Sequence, residues 1–167
     1  MATTPFVYVC FDAKTDMDAF QLLCKWKEKR TITFNFTHGY ENNTIDPDPS
    51  LEYHLRRQIR NKLKDAALFL ILIGEHIRYQ PRLNQWEMEE AIKMDMPILA
   101  ANINGLRKQD NARCPEILFD KAVMHISFKP RILRFAVSDW PSFYKSLPAE
   151  NKEAPFFYGP EAYLLQK

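Results

Sequence analysis

Glycine is scarce in this chain, with four residues in 167, and they spell neither G-x-G-x-x-G nor G-x-x-x-x-G-K-[ST]. The usual loops that cradle dinucleotides and nucleoside triphosphates are therefore missing, and the dehydrogenase and kinase readings fall with them. Cysteine is sparse too. Cys10, Cys24 and Cys114 are odd in number, widely spaced and free of any C-x-x-C pair, so neither a disulfide framework nor a zinc site is indicated. His38, His54, His76 and His125 show no H-x-x-x-H or H-E-x-x-H spacing, and no metal is assigned. No G-x-S-x-G occurs, and pairing Cys10 with His38 as nucleophile and base would rest on residue type alone. No apolar run approaches the roughly 18 residues of a membrane span, and the first residues lack the basic start and apolar stretch of a signal peptide. A cytoplasmic protein with reduced thiols and no membrane contact is expected. A formal charge of +2 leaves no electrostatic case for nucleic acid, which would need a basic stripe.

What is present points to a folded domain of one kind. Apolar residues make up 46% and aromatic residues 13% of the chain, enough to bury a core, and the length suits one domain. Residues 6–11 read as a buried first strand ending at Phe11 and Asp12. Thr15 with Asp18 resembles a capping box before a helix that ends in the basic stretch 25–30. A second strand is expected over 31–37, then a turn-rich acidic segment, 38–50, suited to a lid. Leu51, Leu55, Ile59 and Leu63 repeat every fourth position, predicting a second helix whose other faces carry solvated Arg and Lys. The run 67–74 is apolar on both faces, as a central parallel strand covered on each side must be, and Gly74 ends it. Asn84 with Glu87 three residues on suggests the next helix start, and Pro97 stops that helix before strand 98–103. A short helix near 116–120 and a strand over 123–128 follow. Residues 131–137 fit strand or helix, 139–141 look like a helix entry, and the remainder has no clear period.

Strands alternating with helices on short connections predict a doubly wound α/β fold: three layers around a central, mainly parallel five-stranded sheet, with a C-terminal extension. Ligands of such sheets sit beyond the carboxyl ends of the strands, here at Phe11 and Asp12, Thr37 and His38, Gly74 and Glu75, and Asn102 to Asn104. The domain is expected over 5–147, its motifs within 5–128, with 148–167 a tail of no assigned role.

Trp86 and Glu90 stand four apart on the predicted third helix, roughly 40° apart around its axis at about 100° per residue. A carboxylate beside an indole, aimed into the strand-end crevice, is the chemistry the other absences leave. The bland alternative places Glu90 on a solvated acidic face with Glu87 and Glu89. Glycosidic cleavage ordinarily takes two carboxyl groups, one to protonate the leaving group. A nicotinamide nucleotide relaxes that need, because its leaving group already carries the positive charge and departs neutral. One glutamate then suffices.

The aromatic first strand ending in Cys10, Phe11 and Asp12, the apolar strand ending at Gly74, and the W-x-x-x-E of Trp86 to Glu90 before strand 98–103 resemble TIR-like domains, in particular the ThsB family of Thoeris antiphage defence. The resemblance implies a flavodoxin-like fold and cleavage of NAD, as substrate rather than cofactor, to nicotinamide and an ADP-ribose-derived signal for a separate effector protein. It places the catalytic carboxylate on Glu90 and an aromatic pocket on Tyr8 and Phe11, with Cys10 where serine is frequent. It sets Asp12 and Gly74 at the strand ends, Thr37 and His38 against the nicotinamide ribose, and Trp86 as a pocket wall. The tail after 131 would serve as a closing element or a self-association surface. Two alternatives stay open: a non-enzymatic TIR-like interaction module, and an enzyme resembling nucleoside deoxyribosyltransferases.

Overall fold

A computed structural model describes residues 5–39, 49–79 and 82–165; most of the expected lid segment lies outside the described residues. The elements run β1 (Phe6–Cys10), α1 (Met17–Glu28), β2 (Asn35–His38), α2 (Pro49–Asp65), β3 (Leu68–Ile73), α3 (Arg82–Lys93), β4 (Ile98–Asn102), β5 (Val123–Ser127), α4 (Pro130–Ser146), β6 (Phe156–Phe157) and α5 (Pro160–Leu165), with 3-10 turns at Ile77–Tyr79, Glu116–Leu118 and Ala149–Asn151. The strands form one sheet in the order β2-β1-β3-β4-β5-β6, and every pairing is parallel. This is the flavodoxin-like arrangement. The chain steps outward from β1 to β2 and returns across β1 to β3, so a crevice opens beyond the carboxyl ends of β1 and β3.

Strand alternation splits the core in two. Val7, Val9, Leu68, Leu70, Leu72, Leu99, Ala101 and Ile126 face Phe20 and Leu23 of α1 and Leu133, Val137 and Trp140 of α4. Tyr8, Cys10, Phe69, Ile71, Ile73 and Ala100 face Ile59 and Leu63 of α2 and Met88 and Ala91 of α3. All six residues of β3 are buried, because helices cover both faces of a central strand.

Four local expectations are corrected. The sheet has six strands, because residues 156–157 of the tail pair with β5 at its edge; two residues are too few to show a period. β2 begins at Asn35 rather than at 31, while Ile32 and Phe34 are buried ahead of it. The Thr15 and Asp18 capping box does not form: Asp16 is the N-cap without a side-chain bond, and the Thr15 hydroxyl donates to Asp12 instead. Residues 130–146 make one helix with Pro130 in its first turn and Pro141 inside it. The entry signal belongs to Pro130, whose missing N–H needs no partner there, whereas Pro141 removes one interior bond that packing compensates.

Trp140 locks α4 to the sheet. It is fully buried, and its indole N–H donates to the Ile98 carbonyl at 3.0 Å. Trp140→Ala should lower unfolding stability by about 3–5 kcal/mol, the range for deleting a large core aromatic, and Trp140→Phe by less, the lost bond contributing about 1 kcal/mol. Urea unfolding followed by circular dichroism checks the order of the two.

Candidate functional site

Parity decides which side chains meet at the strand ends. Tyr8 and Cys10 project toward α2 and α3. Phe11 lies on the other side, stacked on Phe20 with ring centroids 4.4 Å apart. The single aromatic pocket expected from Tyr8 and Phe11 is thus divided by the sheet, since positions an odd number apart point to opposite faces. His38 joins the Phe11 side, its ring 4.9 Å from Phe20. Thr37 is half-buried and sits beside Tyr8 in register.

Asp12 shapes the turn after β1, accepting the Lys14 N–H and the Thr15 hydroxyl, each at 2.9 Å. Gly74 is required by close approach: a β-carbon there would overlap the Asp16 carboxylate. Burial, then the charge of Asp12, lifts the Asp16 carboxyl to about 6.

Helix α3 brings the remaining groups. It starts at Arg82, so Asn84 is no cap. Its amide donates instead to the Phe11 carbonyl at 3.1 Å and to the Cys10 sulfur at 3.4 Å. Glu87, one turn on, is 4% exposed and accepts the Tyr8 hydroxyl at 2.6 Å. Gly39 completes this contact, because any β-carbon there would strike the Tyr8 oxygen. Burial pushes the Glu87 carboxyl up to about 7, against the pull of the Tyr8 bond. The Tyr8 phenol and the Cys10 thiol are both raised by burial and then by the charge of Glu87.

The neighbouring stripe of α3 faces α2. The Trp86 ring lies against two guanidinium groups, Arg56 and Arg60, at 5.2 and 5.3 Å from its centroid. Glu90 is 6% exposed and ion-paired with Arg60 at 3.4 Å and Lys93 at 3.5 Å. Trp86 and Glu90 therefore share one side of the helix, in the α2–α3 groove. The carboxyl group that reaches the strand ends is that of Glu87, and Glu90 lies about one turn farther from them. Reading Glu87 as a solvated acid is corrected. Periodicity gives angles between residues but not the roll of the helix against the sheet. One hint existed: a tyrosine inside a buried strand needs a partner for its hydroxyl.

Among the described residues, no group of three His, Cys, Asp or Glu side chains could hold a metal ion, and no helix is long and apolar enough to cross a membrane. In a hollow at the opposite end of the sheet, lined in part by Asp95, Lys121, Tyr144 and Lys152, Asp95 accepts from Tyr144 at 2.6 Å and from Lys152 at 3.3 Å.

Residues 8–108 match the family described as Thoeris protein ThsB, TIR-like domain, and that span contains every residue of the crevice and the groove. The chain belongs to the ThsB TIR-like family. Among curated proteins, none matches it. ThsB membership makes this a TIR protein of Thoeris defence, a system that works with other proteins, and places Trp86, Glu87 and Glu90 inside the family's domain.

A carboxyl group whose folded pKa exceeds its unfolded value holds its proton more tightly when folded, so stability is greatest below the unfolded value and falls as pH rises through the folded one. For Glu87 that window runs from 4.5 to about 7. Glu87→Gln should flatten the decline across this window, a difference on the order of a few kcal/mol by pH 8. Urea midpoints at several pH values, wild type against variant, check it.

Proposed function

We propose that this ThsB-family domain cleaves the N-glycosidic bond of NAD, releasing nicotinamide and handing an ADP-ribose-derived molecule to a separate effector protein. The observation that carries the reading is Glu90 beside Trp86 in the α2–α3 groove of a ThsB TIR-like domain. Cleavage at the nicotinamide ribose develops an oxocarbenium ion while a neutral base leaves. A fixed carboxylate stabilises that positive charge most where water is excluded, and the indole of Trp86 supplies such an edge. NAD is the substrate and no further cofactor is invoked. The reaction would take place in the cytoplasm, where the diffusible product meets the effector, and self-association through the tail would be a means of control.

A second reading has its own observation. The ion pairs of Glu90 with Arg60 and Lys93 tie α3 to α2, a role that a non-enzymatic TIR interaction module would equally need.

Glu90→Gln should leave a folded protein whose nicotinamide release is lower by at least about a hundredfold, the usual effect of removing a group that stabilises transition-state charge. Glu89→Gln, whose carboxylate accepts only a side-chain amide contact from exposed Gln85 among the described bonds, should stay within about twofold. Chromatographic measurement of nicotinamide decides between them, and near-normal turnover by folded Glu90→Gln leaves the module reading. Filtrates of small molecules from phage-infected cells should switch on the effector when the protein is intact and fail when it carries Glu90→Gln. Activation that stays with the macromolecular fraction would overturn the messenger.

A further inference from the structure

The α2–α3 groove holds more positive charge than its ion pairs consume. Among the described residues, Arg56 and Arg60 of α2 and Lys93 of α3 meet two carboxylates, Glu52 and Glu90, a surplus of one positive charge in that set. Both guanidinium groups are braced against Trp86, and stacking on an aromatic face leaves the N–H edges of a guanidinium free for in-plane acceptors. The Arg56 Nε is buried and finds no acceptor among the described residues. The contacts also differ in quality. Arg56 meets Glu52 at 2.9 Å, whereas Arg60 and Lys93 reach Glu90 only at 3.4 and 3.5 Å, longer than the roughly 2.7–2.9 Å of a good charge-assisted bond. Arg60 is loosely held.

We infer that Arg56, Arg60 and Lys93 form an anion site for the diphosphate group of a nucleotide substrate, and that its occupation draws Arg60 off Glu90. The identity of the substrate rests on the functional reading above; the anion site rests on the groove. Arg56 and Arg60 are four residues apart, about 6 Å along the helix axis, a span that the outer oxygens of two bridged phosphates can cover. Phosphate oxygens offer a guanidinium short bidentate bonds that the distant Glu90 carboxylate does not. A diphosphate therefore exchanges a long ion pair for short ones and takes one of its two cations off Glu90 in the same movement. Binding energy from a part of the substrate remote from the reacting bond is thereby coupled to exposure of the carboxylate.

The full-length protein is titrated calorimetrically with ADP, with adenosine as the phosphate-free control and inorganic diphosphate as competitor. Arg56→Gln and Arg60→Gln should each weaken ADP binding at least about tenfold, the scale of one lost charge-assisted contact, and leave adenosine unchanged. Arg131→Gln, exposed on α4 across the sheet, should leave both unchanged. In steady state the two groove variants should raise KM for NAD but not for nicotinamide riboside, which has the same reacting bond and no diphosphate. Arg60→Gln should also raise kcat for nicotinamide riboside, because Glu90 then starts with Lys93 as its one ion-pair partner among the described residues. ADP affinity unchanged in both folded variants overturns the proposal. If a variant does not fold, the wild type decides: ADP affinity must fall with added salt more steeply than adenosine affinity, and equal slopes overturn the site. Arginine-dependent ADP binding without NAD cleavage would retain the anion site and reject the functional reading; NAD cleavage with arginine-independent ADP binding would do the reverse.

Discussion

The hydrogen bond from Tyr8 to Glu87, 2.6 Å long and wholly buried, sets how α3 sits on the sheet, and the rest of the site depends on that setting. A phenol in the middle of a buried strand must donate to something, and a carboxyl oxygen on a buried helix face must accept from something. Each satisfies the other. Gly39 clears space for the phenol oxygen, and Asn84 ties the start of α3 to the end of β1. These contacts together fix the roll of the helix. With Glu87 turned inward, Trp86, Glu90 and Lys93 are turned toward α2.

That roll sorts three neighbouring carboxyl groups into three environments. Glu87 is buried against a phenol and holds its proton up to about 7. Glu90 is buried among cations. Glu89 is half-buried and meets an amide. One acid is inclined to be neutral, one is ion-paired, and one faces the surface. Pairs of titratable groups with divergent surroundings are where acid, base and electrostatic roles separate. The ThsB family supplies the setting, and Arg60 of α2 with Lys93 of α3 supplies the control, since the cations paired with Glu90 also cover it.

The layers were legible in the sequence because long patterns carry them. An apolar run at β3, four-residue spacing on α2 and Pro97 before β4 each have one physical reading, and their order predicted a doubly wound sheet. Pairing of Trp86 with Glu90 was legible for the same reason, as it depends only on helical geometry. What could not be read depends on tertiary choices. The inward turn of Glu87 follows from its docking to Tyr8, the separation of Tyr8 from Phe11 from where α1 and α2 lie, and β6 from two residues finding an open edge. Pro141 shows a local signal overridden, its lost bond outweighed by the burial of Trp140 and Tyr144 in the same helix.

The most direct test of this account is a double-mutant cycle between Tyr8→Phe and Glu87→Met, which removes the acceptor at similar volume, measured by urea unfolding at pH 6. If the bond sets the docking of α3, the two substitutions will be non-additive by about 1–3 kcal/mol, the range for a buried hydrogen bond to an ionisable partner, and amide exchange along α3 will rise in each single variant. Additivity within about 0.5 kcal/mol, with α3 protected as in the wild type, would contradict it.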